Sequence, residues 1–308
     1  MARQEARFDV LAVDRDDLGE GPWWSEREQR LYWVDITGRR VRASDLDARS
    51  PMEWPAATEV GFVVPDTEGQ LIAGLRHGLA RLDPATGQWR DGVTVDRRRD
   101  HRINDGKTDR AGRLWFGSMH DPETDPTSRF YRFDAEGLTT IFDDVITSNG
   151  LGWSPDDRVM YYTDSKIHQI RAFDFDPATG EMSRPRVFAA DTPGDCVPDG
   201  LTVDADGCVW GAKWDGGRVV RYAPDGRVLL ELLFPVRNIT SCQFAGPNLD
   251  TLVVTSARGS RDDEPLAGSV FLLDAGTTGR AEVPVPADIV TALGVPHPPS
   301  IHPNETIT

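Results

Sequence analysis

Residues 31–36 read LYWVDI, and short apolar segments of the same form recur five more times along the 308-residue chain. They are LIAGL at 71–75, LWFGSM at 114–119, MYYTDS at 160–165, VWGAKW at 209–214 and LVVTSA at 252–257. Their starts are 40, 43, 46, 49 and 43 residues apart. A repeat of about 40 to 50 residues is typical of β-propeller blades, each of which is a four-stranded sheet. The spacing therefore predicts six repeated units.

The sequence around these segments favours short strands over helices. The chain contains 29 Gly and 22 Pro residues, and no segment keeps an apolar period of 3.6 residues over three helical turns. Each unit has a second apolar strand further on, often followed by a turn such as DPATG at 83–87. We therefore predict an all-β fold, a six-bladed β-propeller of four-stranded antiparallel blades.

The blades are expected to form a single domain over residues 1–290. The segment FDVLAV at 8–13 precedes the first unit, and we expect it to pair into the last blade and close the ring, which would cover two sheet edges. Residues 291–308 are rich in Pro and polar residues and are predicted to form an extended or disordered tail. A pair of β-sandwiches is the competing architecture, but it does not explain six similar units at one spacing.

The charge of the chain restricts its partners. The 34 Lys and Arg against 50 Asp and Glu give a net charge of −16, which argues against nucleic acids and anionic membranes and leaves small neutral substrates and cations. The first twenty residues lack an apolar signal core and no stretch of eighteen apolar residues occurs, so we expect a cytoplasmic protein. We also expect a monomer or weak oligomer. Three Cys residues without CxxC spacing argue against a disulfide framework or a thiolate zinc site.

A largely polar position recurs ten or eleven residues before each apolar segment. The six positions hold Glu20, Val60, Asn104, Asn149, Asp199 and Ser241, with Asp105 as an alternative for the third. In a propeller, equivalent positions at the start of each innermost strand would form a ring at one mouth of the central channel. Side chains that lie far apart in the sequence would then converge there.

Glu20, Asn149 and Asp199 would bring two carboxylates and one amide oxygen to this ring. Hard oxygen donors suit Ca²⁺, Mg²⁺ or Mn²⁺, and two carboxylates balance a divalent charge. Three protein ligands would leave positions open for water or substrate, as Lewis-acid hydrolysis requires. Asn and Asp before Gly are, taken singly, more often turn residues. Because Glu20 is a poor turn residue, the three together favour the metal interpretation.

Four strings, in order and at blade spacing, carry a family resemblance. They are GEGPWW at 19–24, RINDGKTDRAGRLWFGSM at 102–119, SNGLGWSPDDRVMYYTDS at 148–165 and PDGLTVDADGCVWGAKWDGGRVVRYAPDG at 198–226. In these strings the chain resembles the SMP-30/gluconolactonase/regucalcin-like family, six-bladed propellers that include sugar lactonases. The resemblance implies one divalent cation held by Glu20, Asn149 and Asp199. It also implies that Arg102 and Asn104 contact substrate hydroxyls and that Asp199 doubles as the acid/base.

One stretch departs from the family pattern. Family members often place an acidic residue in the lid loop after the strand that ends in GSM, where this chain reads HDPETDP at 120–126. A further substrate contact could fall to Asp121, to Glu123 or to neither. Trp214, near a strand end, is a candidate for stacking on a sugar face.

These features favour a metal-dependent hydrolase that opens a sugar-derived lactone of the aldonolactone type. The cation, with Ca, Mg, Mn, Zn and Fe all left open, would polarise the ester carbonyl, and water would attack the carbonyl carbon. Asp199 would act as the base, or would orient a metal-bound hydroxide. Two alternatives remain: a phosphotriesterase-like hydrolase, and a non-catalytic calcium-binding protein that would not need Arg102 and Asn104.

Overall fold

The strands of the computed structural model form six sheets around a common axis, within the described residues 2–259 and 263–294. Two short strands, β1 (Ala2–Glu5) and β2 (Asp9–Val10), precede the blades. The first three blades contain β3 (Gly19–Ser25), β4 (Arg30–Asp35), β5 (Arg40–Ser44) and β6 (Met52–Pro55); β7 (Val60–Pro65), β8 (Leu71–Leu75), β9 (Gly78–Asp83) and β10 (Gln88–Thr94); and β11 (His101–Thr108), β12 (Leu114–His120), β13 (Ser128–Asp134) and β14 (Gly137–Val145). The last three contain β15 (Ser148–Trp153), β16 (Val159–Asp164), β17 (Gln169–Phe175) and β18 (Met182–Ala190); β19 (Val197–Val203), β20 (Val209–Trp214), β21 (Arg218–Tyr222) and β22 (Val228–Leu233); and β23 (Ile239–Ala245), β24 (Thr251–Ser256) and β25 (Phe271–Asp274).

This arrangement confirms the predicted all-β fold and the six-bladed propeller. Within each blade, strands that follow one another in the chain are neighbours in the sheet. The first strand of each blade lies nearest the axis, and its neighbours are buried between adjacent blades. The repeat in the sequence therefore measures the length of chain that one blade uses.

The N-terminal strands complete the last two blades. β2 pairs antiparallel with β25, with Asp9 opposite Leu272 and Val10 opposite Phe271, so the start of the chain supplies the fourth strand of the sixth blade, as expected. β1 pairs in parallel with β22 as a fifth strand of the fifth blade, which the sequence pattern did not predict. Both pairings cover sheet edges that would otherwise present unpaired backbone groups.

Every innermost strand is interrupted by a β-bulge close to the recurring sequence position. The shifts in register lie between Glu20 and Trp23, Val60 and Phe62, Ile103 and Asp105, Asn149 and Leu151, Pro198 and Leu201, and Ile239 and Ser241. A bulge bends the strand and changes the direction in which a side chain points. The same irregularity in all six blades therefore gives the six positions a common setting at one end of the channel.

Glycines next to two of the bulges let neighbouring innermost strands approach closely. A Cβ on Gly150 would lie 2.5 Å from the backbone nitrogen of Leu201 and 2.6 Å from the carbonyl oxygen of Asp199. A Cβ on Gly61 would lie 2.5 Å from the carbonyl oxygen of Ile103. Distances this short are available only to a residue without a side chain. The spacing of the polar residues around the axis thus depends on glycine.

The segment after β25 crosses the channel end opposite the bulges. Its backbone bonds to residues at the far ends of the innermost strands, including Thr108, whose hydroxyl donates to the carbonyl of Val283, and Pro65, whose carbonyl accepts from the amide of Val285. The Glu282 carboxylate lies 3.3 Å from Nζ of Lys107 and accepts a hydrogen bond from Gln243. This segment covers that end of the channel.

The helix α1 (Ala287–Leu293) follows this segment and packs its apolar side chains onto the core of the second and third blades. The predicted boundary between domain and tail at residue 290 falls inside this helix. Ile289, Val290 and Leu293 are buried there. Residues 291–293 are therefore helical rather than extended, and residues 295–308 of the predicted tail lie outside the described residues. No helix in the described part of the chain is long and apolar enough to cross a membrane.

We expect Gly150→Ala to lower the free energy of unfolding by about 1–3 kcal/mol, because its methyl group would collide with the backbone of the fifth blade. The measurement is the urea midpoint. Gly211→Ala is the matched control, since its Cβ would meet Cδ1 of Ile170 at an ordinary 3.4 Å, and it should unfold close to the wild type. Equal stability of the Gly150 variant and the wild type would contradict the proposed close packing of these strands.

Candidate active site

A cavity of about 370 Å³ opens at the bulged end of the channel, a size typical of small-molecule sites. All seven site residues named from the sequence line it: Glu20, Arg102, Asn104, Asp121, Glu123, Asn149 and Asp199. The other two ring positions, Val60 and Ser241, are buried, and neither is among the described residues that line the cavity. The structure therefore brings together side chains from the first, third, fourth and fifth blades.

Asn149 contacts Asp199, another member of the proposed ligand set, through its amide group. Its Nδ2 donates to the carboxylate of Asp199 and lies 3.2 Å from Oγ of Ser165. Its Oδ1 is buried and accepts no hydrogen bond from any described residue. A buried acceptor without a partner is costly, so this oxygen is available for a ligand.

Glu20 and Asp199 are buried carboxylates that form no ion pair within the described residues. Glu20 accepts a hydrogen bond of 2.8 Å from the backbone amide of Gly21. Burial raises the pKa of Glu20 well above its usual range, and repulsion from Asp199 and Asp105 raises it further. Burial likewise raises the pKa of Asp199, with Asp105 as the largest charged contributor.

Asp105, which is half-buried, adds a third carboxylate to this region. Burial raises its pKa to about 6, although the ammonium group of Lys107 acts in the opposite direction. Its amide neighbour Gly106 donates to Oδ1 at 2.7 Å. The local excess of negative charge is therefore larger than the two proposed carboxylate ligands alone would create.

This donor set fits a hard divalent cation. Two carboxylates and the free Oδ1 of Asn149 are the oxygen donors that Ca²⁺, Mg²⁺ and Mn²⁺ prefer, and a divalent charge would offset the repulsion between Glu20 and Asp199. Residues 2–259 and 263–294 contain no cluster of three or more His, Cys, Asp or Glu side chains that could hold a metal ion. A cation here would therefore depend on the amide as well as on the two carboxylates.

Arg102 and Asn104 form a hydrogen-bonded pair on the third blade. Nη1 of Arg102 donates to Oδ1 of Asn104 at 2.6 Å, and Nδ2 of Asn104 donates to the carbonyl of Ser148 at 2.7 Å. Nε of Arg102 lies 3.5 Å from Oδ1 of Asp121. These contacts fix the planes of both side chains while leaving N–H groups that can face a polar ligand.

The loop after β12 presents both of the acidic residues between which the sequence left the choice open. Asp121 pairs with Nη1 of Arg76 at 2.7 Å. Glu123 pairs with Nζ of Lys166 at 2.9 Å and accepts a hydrogen bond of 3.2 Å from Thr147. Each carboxylate therefore has a cationic partner, in contrast to Glu20 and Asp199.

Comparison with known proteins places this geometry in a family. The sequence model of the protein family described as the SMP-30/gluconolactonase/LRE-like region matches residues 18–258. The chain belongs to this family. The match spans all six innermost strands, and so includes every residue of the candidate site.

Named relatives of this family member include two lactonases. A 6-deoxy-6-sulfogluconolactonase of Pseudomonas putida is 38% identical over 275 residues, covering 86% of this chain and 94% of that protein. A pentonolactonase of Haloferax volcanii is 37% identical over 285 residues, covering 86% and 93%. Among solved structures, regucalcin from Agrobacterium tumefaciens, described as a calcium-binding protein, is 26% identical with a TM-score of 0.88, covering 92% of this chain and 99% of that one.

The sequence patterns did not point to three charged residues that line the cavity of this SMP-30/gluconolactonase family member: Glu59, Arg76 and Lys166. Arg76 and Lys166 lie just beyond the ends of β8 and β16, where the repeat prescribes no residue type. Glu59 directly precedes Val60, so allowing the recurring position to vary by one residue would have found it. Trp214, considered for stacking on a sugar, does line the cavity.

We expect Asp199→Asn to stabilise the protein when a chelator removes divalent cations. The pKa values of Glu20 and Asp199 are higher in the folded state than in the unfolded chain, so their contribution to stability is complete below about pH 4 and is lost as the pH rises. Asn removes one ionisation and one source of repulsion. At pH 8 the variant should exceed the wild type by about 1–3 kcal/mol, measured by urea unfolding, and the difference should shrink toward pH 4.

Asp121→Asn is the control for this measurement, because Asp121 is paired with Arg76 and its removal should bring no gain. A chelated Asp199→Asn protein that is less stable than the wild type at pH 8 would show that the buried carboxylates are not a burden on the fold.

Proposed function

We propose that this protein is a cation-dependent lactonase that hydrolyses the ring ester of a sugar-derived lactone of the aldonolactone type. The observation that carries the proposal is the pair of buried carboxylates without an ion pair, Glu20 and Asp199, which line a cavity of substrate size together with Asn149, whose amide oxygen is free. The lactonases of Pseudomonas putida and Haloferax volcanii, which share more than a third of their residues with this chain, support the choice of ester.

Glu20, Asn149 and Asp199 would hold the cation, consistent with the calcium-binding description of the Agrobacterium regucalcin. When bound, the ion would polarise the ester carbonyl and stabilise the negative charge that develops on its oxygen. The two carboxylates would balance the charge of the ion, so the loaded site would stay close to neutral. A neutral, hydroxylated lactone is compatible with such a site.

Arg102 and Asn104 would orient the sugar ring. The guanidinium group offers several N–H donors in one plane, and the amide of Asn104 is held by Arg102 and by the carbonyl of Ser148. Rigid donors of this kind suit the hydroxyl groups of a sugar. Trp214, which also lines the cavity, offers an apolar face for the ring carbons.

Asp199 would move the proton in the reaction. Its carboxylate would accept a proton from the water that attacks the carbonyl carbon, and would return it to the ring oxygen as the carbon–oxygen bond breaks, giving the open hydroxy acid. The amide of Asn149 donates to the same carboxylate and would fix its orientation.

We expect divalent cations to raise the unfolding temperature of the chelated wild-type protein, with Ca²⁺, Mg²⁺, Mn²⁺, Zn²⁺ and Fe²⁺ added back separately. At a concentration of 100 times Kd the stabilisation is about 2.7 kcal/mol. Glu20→Gln and Asp199→Asn should lose this shift, whereas Asp121→Asn, which changes a cavity residue outside the ligand set, should keep it. Equal shifts in the wild type and both ligand variants would rule out this site as the place of binding.

We expect the cation-loaded wild type to hydrolyse aldonolactones in a pH-stat assay corrected for spontaneous hydrolysis. Asp199→Asn should lower kcat at least about 100-fold, because it removes both a ligand and the base. Arg102→Ala should raise KM while leaving the cation-dependent shift in unfolding temperature intact.

Two results would point elsewhere. Cation binding without turnover of any lactone would favour the non-catalytic calcium-binding alternative. Turnover of a phosphotriester such as paraoxon, without turnover of lactones, would favour the phosphotriesterase-like alternative.

A further inference from the structure

Arg76 lies between two carboxylates at the rim of the cavity. Its Nε is 2.8 Å from Oε2 of Glu59, and its Nη1 is 2.7 Å from Oδ2 of Asp121. The hydrogen bond from Arg76 lowers the pKa of Glu59 to about 2. The arginine side chain is only 20% exposed. Its guanidinium group is therefore committed to holding two acidic side chains, rather than free to bind an anion.

These contacts join two blades. Glu59 and Arg76 belong to the second blade, whereas Asp121 lies in the loop that follows β12 of the third. Nη1 of Arg76 also lies 3.1 Å from the carbonyl oxygen of Arg99 and 3.2 Å from that of His101. The backbone carbonyl of Arg76 accepts a hydrogen bond of 3.2 Å from the amide of Ile103. Arg76 thus holds the chain on both sides of Arg102.

The loop after β12 depends on the same segment of the third blade. The amide of Asp121 donates to the carbonyl of Asp100 at 2.7 Å, and Nε2 of His101 lies 2.9 Å from Oγ1 of Thr127. Asp121 in turn lies 3.5 Å from Nε of Arg102. A displacement of this loop would therefore also displace the group that orients Arg102.

Removing the positive charge of Arg76 would leave Asp121 with a single cationic partner, Arg102. The guanidinium group of Arg102 would then be drawn toward Asp121 and away from Oδ1 of Asn104, to which it now donates at 2.6 Å. Glu59 would keep only its pair of 3.3 Å with Arg39.

We propose that Arg76 is a positioning residue for substrate binding: by clamping Glu59 and Asp121 across the second and third blades, it holds the loop after β12 and sets the orientation of Arg102. The role rests on the proposed lactonase function. It leaves Glu20, Asn149 and Asp199 untouched, since no contact links Arg76 to any of the three among the described residues. Its loss should therefore act on KM and spare kcat.

The test compares Arg76→Ala and Arg76→Lys with Arg129→Ala, which removes a similarly exposed arginine paired with Asp143 on the third blade, away from the cavity. We expect Arg76→Ala to raise KM for the lactone roughly tenfold with kcat within about threefold of the wild type. Arg76→Lys should have a KM between those of the wild type and Arg76→Ala, because one ammonium group can hold only one of the two carboxylates well. Arg129→Ala should change neither constant.

Two further measurements separate positioning from a general loss of structure. The cation-dependent rise in unfolding temperature should be the same in Arg76→Ala as in the wild type. The double variant Arg76→Ala/Asp121→Asn should have a KM no higher than the larger of the two single variants, because both changes release the same loop. A KM for Arg76→Ala within twofold of the wild type, or an equal rise in Arg129→Ala, would overturn the inference.

Hydrogen exchange supplies a readout that does not require turnover. We expect faster exchange of the amides of residues 99–104 and 121–127 in Arg76→Ala, and no change there in Arg129→Ala. If the wild type hydrolyses no lactone, the proposed function fails, and unchanged exchange would separately show that Arg76 does not position the loop. If Arg76→Ala does not fold, Arg76→Lys decides: an unchanged KM and exchange rate in that variant would overturn the role.

Discussion

The burial of two unpaired carboxylates at the end of a narrow channel is the constraint on which the rest of the site depends. The other carboxylates that line the cavity are treated differently: Glu59 and Asp121 share Arg76, and Glu123 pairs with Lys166. A protein that needed these acidic groups only for its fold would have paired all of them, because an isolated buried charge is strongly destabilising. The contrast argues that Glu20 and Asp199 are balanced by something the polypeptide does not supply.

The scaffold brings these groups together through backbone irregularity. In a regular strand, successive side chains point to opposite faces of the sheet. A bulge at each recurring position breaks that alternation at one level of the ring. Gly150 then allows the fourth and fifth blades to approach until the amide of Asn149 reaches the carboxylate of Asp199.

Much of this could be predicted from the sequence, because repetition makes equivalent positions comparable. The period of the repeat predicted the number of blades, and the recurring polar position pointed to Glu20, Asn149 and Asp199. Arg76 could not be found in this way, since it follows β8 in a turn where the repeat prescribes no residue type, and it acts through contacts with a different blade. The parallel pairing of β1 was missed for a similar reason: four exposed residues carry no apolar alternation that would predict a strand.

The ring positions that hold no proposed ligand or substrate contact explain why a sixfold scaffold can carry an asymmetric site. Val60 is fully buried in the core of the second blade, and its neighbour Glu59 faces the rim instead. In the sixth blade, the hydroxyl of Thr240, beside Ser241, donates to the carbonyl of Gly19 at 2.6 Å. That bond joins the last blade to the first at the residue before Glu20, so a residue beside the recurring position serves closure of the ring. Divergence at and next to one repeated position has thus divided packing, closure and chemistry among blades that share a single backbone plan.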